Sequence, residues 1–529
     1  MSRQRLPLSR HLRRASILLA ASAAAAPLLP SPSAAQNVTA RTLTAQIPRH
    51  GELWVEFAPA FQGWDQRFGG PGGRTPLAQD FNGPLLSHLY PGPEAAAVDL
   101  NADAAALGYD PVGAGDVSLG TIDMGELNRE IRVIPLRFEL GFLNRFSIEA
   151  SVPAVWTKAE PFFSFDSTGA TVLSGTQALQ NSVEFFNGLG NATDTLQDRL
   201  ESGGVPAAQQ AQAQALIAMS SAFLSAFQRR VLTDDLLPLA STVAGQQLLA
   251  YYAGLQQQFS AFGIPAPGLS LPDVATVEDL RGYLGGAFLQ GQPLGATARS
   301  WTAGELEAGV RMSILDDYRP DSASGGVELR TTAGLLVRLP LRGAGALPFQ
   351  VPGDFVGVPV GDGQRDLALT LYQDVRLASI LEVNASATYG IQAPDQIELR
   401  PHPPDRPFAV PDPTPEVQRN LGNYVQARIA PHLALDPHVL IGAEYRYWHK
   451  TADRYTLVGG TASGTVSTLD LGTGQTRHRL GIGATFRPGG PDSGAELGFI
   501  WQGALAGRGR TTPAADLATF HIRVPARIF

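Results

Sequence analysis

The sequence predicts an all-β protein, a transmembrane antiparallel up-and-down β-barrel of about twelve strands with one long, partly α-helical insertion. Three observations point there: segments that alternate apolar and polar side chains, connections that alternate between tight and long, and the absence beyond residue 35 of any run of eighteen apolar residues. Without such a run a chain crosses a bilayer only as a closed barrel, whose strands pair every backbone polar group in lipid.

Residues 1–35 read as a cleavable secretory signal, not as fold. Arg3, Arg5, Arg10, Arg13 and Arg14 precede an Ala-rich apolar run from Ile17 to Leu29, and Ser33-Ala34-Ala35 forms a small-x-small cleavage site. Arg13-Arg14 lacks the rest of a twin-arginine pattern. Residues 36–50 are then a periplasmic N-terminal segment and 51–529 the barrel. Losing the five arginines takes the formal net charge from −8 to −13, which argues against a nucleic-acid partner. The chain has no cysteine, so it holds no disulfide or thiolate metal site, and it suits passage through an oxidising periplasm.

The first strand shows Leu53, Val55, Phe57 and Phe61 on one face, the second Ile134, Leu136, Phe138, Leu140 and Phe142, the third Phe146, Ile148, Ala150, Val152, Ala154 and Trp156. Leu306, Ala308, Val310, Met312 and Ile314 give the fourth, Val327 to Leu339 the fifth, and Leu367, Leu369, Leu371 and Val375 the sixth. The seventh is the clearest: Leu381, Val383, Ala385, Ala387, Tyr389 and Ile391 alternate with Glu382, Asn384, Ser386, Thr388 and Gly390. The eighth and ninth run through Val425 to Leu433 and Val439 to Tyr447. The last three follow Leu480 to Phe486, Ala495 to Trp501 and Phe520 to Ile528.

Tight turns fall at Leu143-Asn144-Arg145, Ala378-Ser379, Asp436-Pro437 and Pro488 to Ser493, with a looser one at Asp316 to Gly325. The other connections are long: 63–130, 157–304, 340–366, 392–422, 449–477 and 503–517. This asymmetry is that of periplasmic turns and extracellular loops, and it predicts the cell outer membrane of a Gram-negative bacterium. Phe142 and Phe146 at one end, and Trp156, Tyr389, Tyr447 and Trp501 at the other, have the placing of two aromatic girdles. Phe529 falls off the apolar phase of the last strand unless a bulge near Pro525 restores it.

The face away from lipid is charged, and Arg311, Arg330, Asp374, Arg376, Glu382, Arg428, Glu444, Arg446 and Arg479 are the candidate lumen-lining residues. Acids and bases nearly balance there, so they are expected to pair across a narrow lumen and constrict it. Within 157–304, Leu216, Met219, Phe223, Phe227 and Val231, then Leu248, Tyr252, Leu255, Phe259 and Phe262, recur at helical spacing. They predict a helical hairpin that caps or plugs the barrel.

No nucleophile, base or metal cluster forms a recognisable catalytic motif. His432 and His438 flank one tight turn, and Gly361-Asp362-Gly363 and Gly472-Thr473-Gly474 read as turns. No enzyme activity, cofactor or metal is expected.

Glu305-Leu-Glu-Ala-Gly-Val-Arg, Gly334-Leu-Leu-Val-Arg-Leu-Pro, Val360-Gly-Asp-Gly-Gln-Arg-Asp-Leu-Ala-Leu-Thr-Leu and Val383-Asn-Ala-Ser-Ala-Thr-Tyr-Gly resemble outer-membrane channels associated with the meta-cleavage pathway of phenol degradation, distantly similar to long-chain fatty-acid transporters. The resemblance implies uptake of small hydrophobic or aromatic compounds. The helical insertion departs from that family. The expected partners are outer-membrane lipids, the barrel-assembly machinery and a small-molecule solute. The alternatives are an outer-membrane enzyme of lipase or protease type and a structural or adhesive barrel.

Overall fold

A computed structural model describes residues 44–69, 73–90, 92–175, 182–233, 235–280, 297–318, 326–341, 363–378, 380–399, 406–409, 415–459, 465–490 and 493–528. Residues 1–43, which include the expected signal and the start of the expected periplasmic segment, Ser379, most of the 316–325 turn, the 342–362 stretch and Phe529 lie outside them.

Twelve strands close into an antiparallel barrel. They are β1 (Glu52–Phe57, continued by Ala60–Trp64), β2 (Thr121–Leu143), β3 (Phe146–Asp166), β4 (Ala298–Ala303, continued by Leu306–Asp316), β5 (Val327–Leu339), β6 (Asp366–Leu377), β7 (Leu381–Gln392), β8 (Tyr424–Ala434), β9 (Val439–Lys450), β10 (Gln475–Phe486), β11 (Glu496–Arg508) and β12 (Asp516–Arg527). Each pairs with its neighbours in sequence, and β1 pairs with both β2 and β12, so no edge is left open.

The predicted phase holds through the membrane-spanning part. Leu335, Leu369, Ile441, Ile482 and Phe499 point outward and are 41% to 66% exposed, whereas Arg311, Asp374, Glu444 and Arg479 point inward and are at most 2% exposed. A belt of that kind belongs in hydrocarbon. No helix among the described residues is long and apolar enough to cross a membrane. Phe142 and Phe146 meet at 5.9 Å beside the β2–β3 turn, and at the other end Tyr447 packs on His478 at 5.2 Å.

The strands depart from expectation where the outer solvent changes from lipid to water. β2 has 23 residues and β3 has 21, against the shorter strands expected. A span needs only about 9–11. The β2–β3 pairing continues to Thr121↔Asp166, beyond the last partners from β1 and β4 at Arg129 and Ala159. The hairpin thus projects above the rim. Its inner face there is apolar, with Ile122, Met124 and Leu127 buried against Leu85, Leu86 and Leu100 of the first loop. The loop expected at 503–517 shrinks to 509–515 because β11 and β12 run further. β12 keeps its register on β1 through Pro525, so there is no bulge there.

The insertion is carried at the loop end by the projecting hairpin. Three helices, not a two-helix hairpin, form its body: α1 (Ser182–Glu201), α2 (Gln210–Thr233) and α3 (Val243–Ala261). Thr242 caps α3 by accepting from the Gly245 amide at 3.1 Å. Phe185 of α1 lies 5.7 Å from Phe227 of α2 and 5.3 Å from Tyr252 of α3, so all three helices share one core. Among the described residues no barrel strand contributes to that core. Arg230, fully buried, ties α2 to the first loop through Asp103 at 2.9 Å and Asp99 at 3.0 Å.

Candidate functional site

The barrel interior is the site, and its turn half is filled. Arg137 is held by Glu56 at 3.0 Å, Glu139 at 2.8 Å and Glu149, while Arg311 takes Glu139 at 3.0 Å and lies 4.6 Å over the Tyr372 ring. Arg330 pairs with Asp316 at 3.1 Å and Arg376 with Glu328 at 3.2 Å. Both guanidinium groups stand 4.1 Å from the ring of Tyr318, which they clamp. Glu382 binds Arg487 at 2.9 Å, and Glu496 joins Arg487 at 3.3 Å to Arg523 at 2.8 Å. Arg523 in turn covers the Trp54 ring at 4.3 Å.

The N-terminal segment completes this filling. Of the residues expected to be periplasmic, Thr44 and Ala45 lie inside the barrel. Asp374 accepts from the Thr44 hydroxyl at 2.6 Å, from the Ala45 amide at 2.9 Å and from Asn384 at 2.8 Å. Thr332 donates to the Ala45 carbonyl at 2.5 Å, and Arg311 donates to the Thr44 carbonyl. Ala45 is fully buried, packed on Tyr372. A short strap is thereby held across the lumen, because a buried carboxylate with three donors is a strong anchor.

The loop half differs. Arg338 reaches Glu307 at 2.8 Å and the Tyr424 hydroxyl at 3.0 Å. On β8 to β10, however, Arg428 pairs in register with Arg446, and Arg446 with Arg479, so three guanidinium groups stand side by side. One carboxylate, Glu444, serves both Arg428, at 2.7 Å, and Arg446. Among the described residues the Arg479 side chain makes one hydrogen bond, to Gln62 at 2.8 Å. A cavity of about 70 Å³ lies between the halves, bordered by Arg428, His432, Arg446 and Arg487.

All nine candidate residues therefore face the interior. They do not form one cluster: Arg311, Arg330, Asp374, Arg376 and Glu382 sit in the turn half, and Arg428, Glu444, Arg446 and Arg479 nearer the loops. The sequence reading missed the strap, the Tyr318 clamp, Gln62 and Arg487. None of these lies on an alternating stretch except Gln62, whose neighbours Phe61 and Trp64 mask the pattern. His432 and His438 do not converge: the His432 ring lies against Gly442 inside, and His438 is exposed on the Arg487 carbonyl at 2.9 Å. Among the described residues no group of three or more His, Asp or Glu is arranged to hold a metal ion.

No family model matches the chain, and no curated protein does. Solved structures with a similar trace include an outer membrane channel from Pseudomonas putida F1, 6% identical over 91% of this chain and 97% of that one, with a TM-score of 0.40. Two others are the Pseudomonas putida toluene transporter TodX, 9% identical over 90% and 89% with a TM-score of 0.22, and the transport unit of the Escherichia coli autotransporter AIDA-I, 8% identical over 96% of each chain with a TM-score of 0.27. At such scores the barrel assignment rests on the strand pairing itself.

Proposed function

We propose that this protein is an outer-membrane channel that admits small solutes, hydrophobic or aromatic in class, with the turns in the periplasm and the helical insertion outside the cell. The observation that carries the reading is a closed barrel with an apolar outer belt and buried charged residues facing inward in both its halves. A polar lumen in a membrane-spanning barrel has a cost in buried charge that a purely structural anchor has no need to bear. The sequence resemblance around Glu305 to Gly390 supplies the solute class. The strap and the ion pairs of the turn half make the path narrow, and the charged lumen-lining residues shape its selectivity. Export through the signal, insertion by the barrel-assembly machinery and a lipid annulus belong to the same reading.

Planar-bilayer recording of the refolded protein tests it, with and without residues 170–296. Discrete conductance steps that persist or grow on removal of the insertion support the channel. No conductance from either form, with heat-modifiable gel mobility showing both barrels folded, would leave an anchoring or adhesive barrel as the better account.

A further inference from the structure

We propose that the loop half of the lumen holds a binding site for small organic anions with an apolar body, the acid group on Arg477 and Arg479 and the body on the facing wall. Arg477 and Arg479 are 4% and 2% exposed, and among the described residues neither has a carboxylate within the 4.0 Å of an ion pair. Arg479 spends one Nη2 donor on Gln62, a neutral acceptor, and its Nε is buried without a partner. Arg477 lies over the Trp448 ring, 5.6 Å from its centre, within cation–π range. Asp516, the acid whose charge reaches Arg479, already accepts from the Ala504 amide at 3.3 Å.

Like charges on adjacent strands destabilise a sheet, and a buried guanidinium short of a counter-ion is costlier still. Here the cost is concentrated. Arg428, Arg446 and Arg479 stand in one register row, with Arg477 one inward position along, and Glu444 is the carboxylate that this wall carries. The turn half of the same barrel shows that the chain readily supplies acids to arginines. Their shortage on β8 to β10 fits a ligand that brings its own negative charge.

The facing wall selects the rest of that ligand. Gln62, the residue Arg479 touches, has Leu517 and Ile131 as its cross-strand neighbours. These belong to a buried apolar cluster with Ala58, Ala60, Val133 and Val155. A carboxylate on the arginines therefore places its carbon skeleton beside aliphatic side chains. A cavity of about 620 Å³ at the loop end of the same strands is lined by Arg67, Lys450, Arg508 and Arg510, of which Arg67 and Arg510 share Asp80 and Lys450 pairs with Asp453 at 3.4 Å.

The inference names the solute class of the proposed channel and rests on that reading for its meaning in transport, but its test does not need conductance. Equilibrium binding of radiolabelled benzoate, with benzamide as the neutral isostere, is measured on the full detergent-purified protein. Benzoate is expected to bind at least tenfold more tightly than benzamide. Arg477→Gln with Arg479→Gln is expected to abolish that preference. Gln62→Glu, which gives Arg479 an internal carboxylate and leaves every arginine in place, is expected to weaken benzoate at least tenfold without loss of folded mobility on gels. Equal binding of benzoate and benzamide, or benzoate binding untouched by Gln62→Glu in a folded barrel, overturns the proposal. A conducting barrel without the benzoate preference would sink this site and spare the channel, and benzoate binding in a barrel that never conducts would do the reverse.

Discussion

In the turn half of the lumen Arg137, Arg311, Arg376, Arg487 and Arg523 each have a carboxylate within 3.2 Å, whereas in the loop half Arg477 and Arg479 have none within 4.0 Å among the described residues. The residue types are the same and the walls are continuous strands. What differs is whether the charge is compensated from within the chain. Complete pairing stiffens and closes a narrow barrel; incomplete pairing holds a charge ready for something else, at a cost in stability. The two halves accordingly respond differently to mutation.

The sharpest contrast is between Arg137→Ala and Arg479→Gln. Removing Arg137 leaves Glu56, Glu139 and Glu149 buried together, and is expected to destabilise the barrel by about 3–5 kcal/mol in urea unfolding followed by gel mobility. Arg479→Gln removes one like-charge cross-strand pair and should stabilise by no more than about 1 kcal/mol. Comparable losses at both positions would erase the distinction between the halves. On the outer face, Ala443→Arg near mid-strand should cost roughly 2–4 kcal/mol in the same assay, with Ala443→Leu as the tolerated control. Gly442 is no clean inward control, since a Cβ there would meet the Pro431 carbonyl at 2.6 Å.

Asp374→Asn is the next smaller effect. Hydrogen bonds to a charged acceptor contribute about 1.5–3 kcal/mol, so losing the charge beneath Thr44 and Ala45 should loosen the strap, read as faster trypsin cleavage at Arg49. An unchanged cleavage rate would mean that packing on Tyr372 holds the strap instead. The smallest effect belongs to the helical unit. Burial pushes the Tyr109 phenol up to about 12, the Arg230 charge opposing and the Asp99 charge adding. The raised folded value means that its stabilising contribution is full below the unfolded value near 10 and is lost as pH rises to about 12. The helices should therefore lose protection from hydrogen exchange over that range before the barrel strands do, and Tyr109→Phe should remove this component.

The sequence disclosed most where two solvents met at one strand. Between Leu381 and Ile391 lipid lies on one side and a charged lumen on the other, and alternation alone gave the strand, its faces and its lumen residue Glu382. It disclosed least where that contrast fails. Ile122 and Met124 alternate and Leu127 rejoins them after a bulge, but their apolar side faces protein, the reverse of the phase further along β2. The helix from Ser182 to Glu201 carries Phe185, Leu189, Ala192 and Leu196 at helical spacing, and its glycines, asparagines and threonines hid it because they are poor helix formers. The strap at Thr44 and Ala45 has no periodicity; it is fixed by Asp374, more than three hundred residues away in the chain. Pairing choice was equally hidden, since a strand's phase tells that Arg477 and Arg137 face inward but not which of them lacks an acid.

Single-channel recording of the chain from residue 36 onward beside a chain from residue 49 onward tests the central claim most directly. A solute path narrowed in its turn half by the strap gives small conductance steps in the first and severalfold larger steps in the second, with both barrels folded. Steps of equal size would show that the strap does not limit the path, and the absence of steps from both would contradict the channel itself.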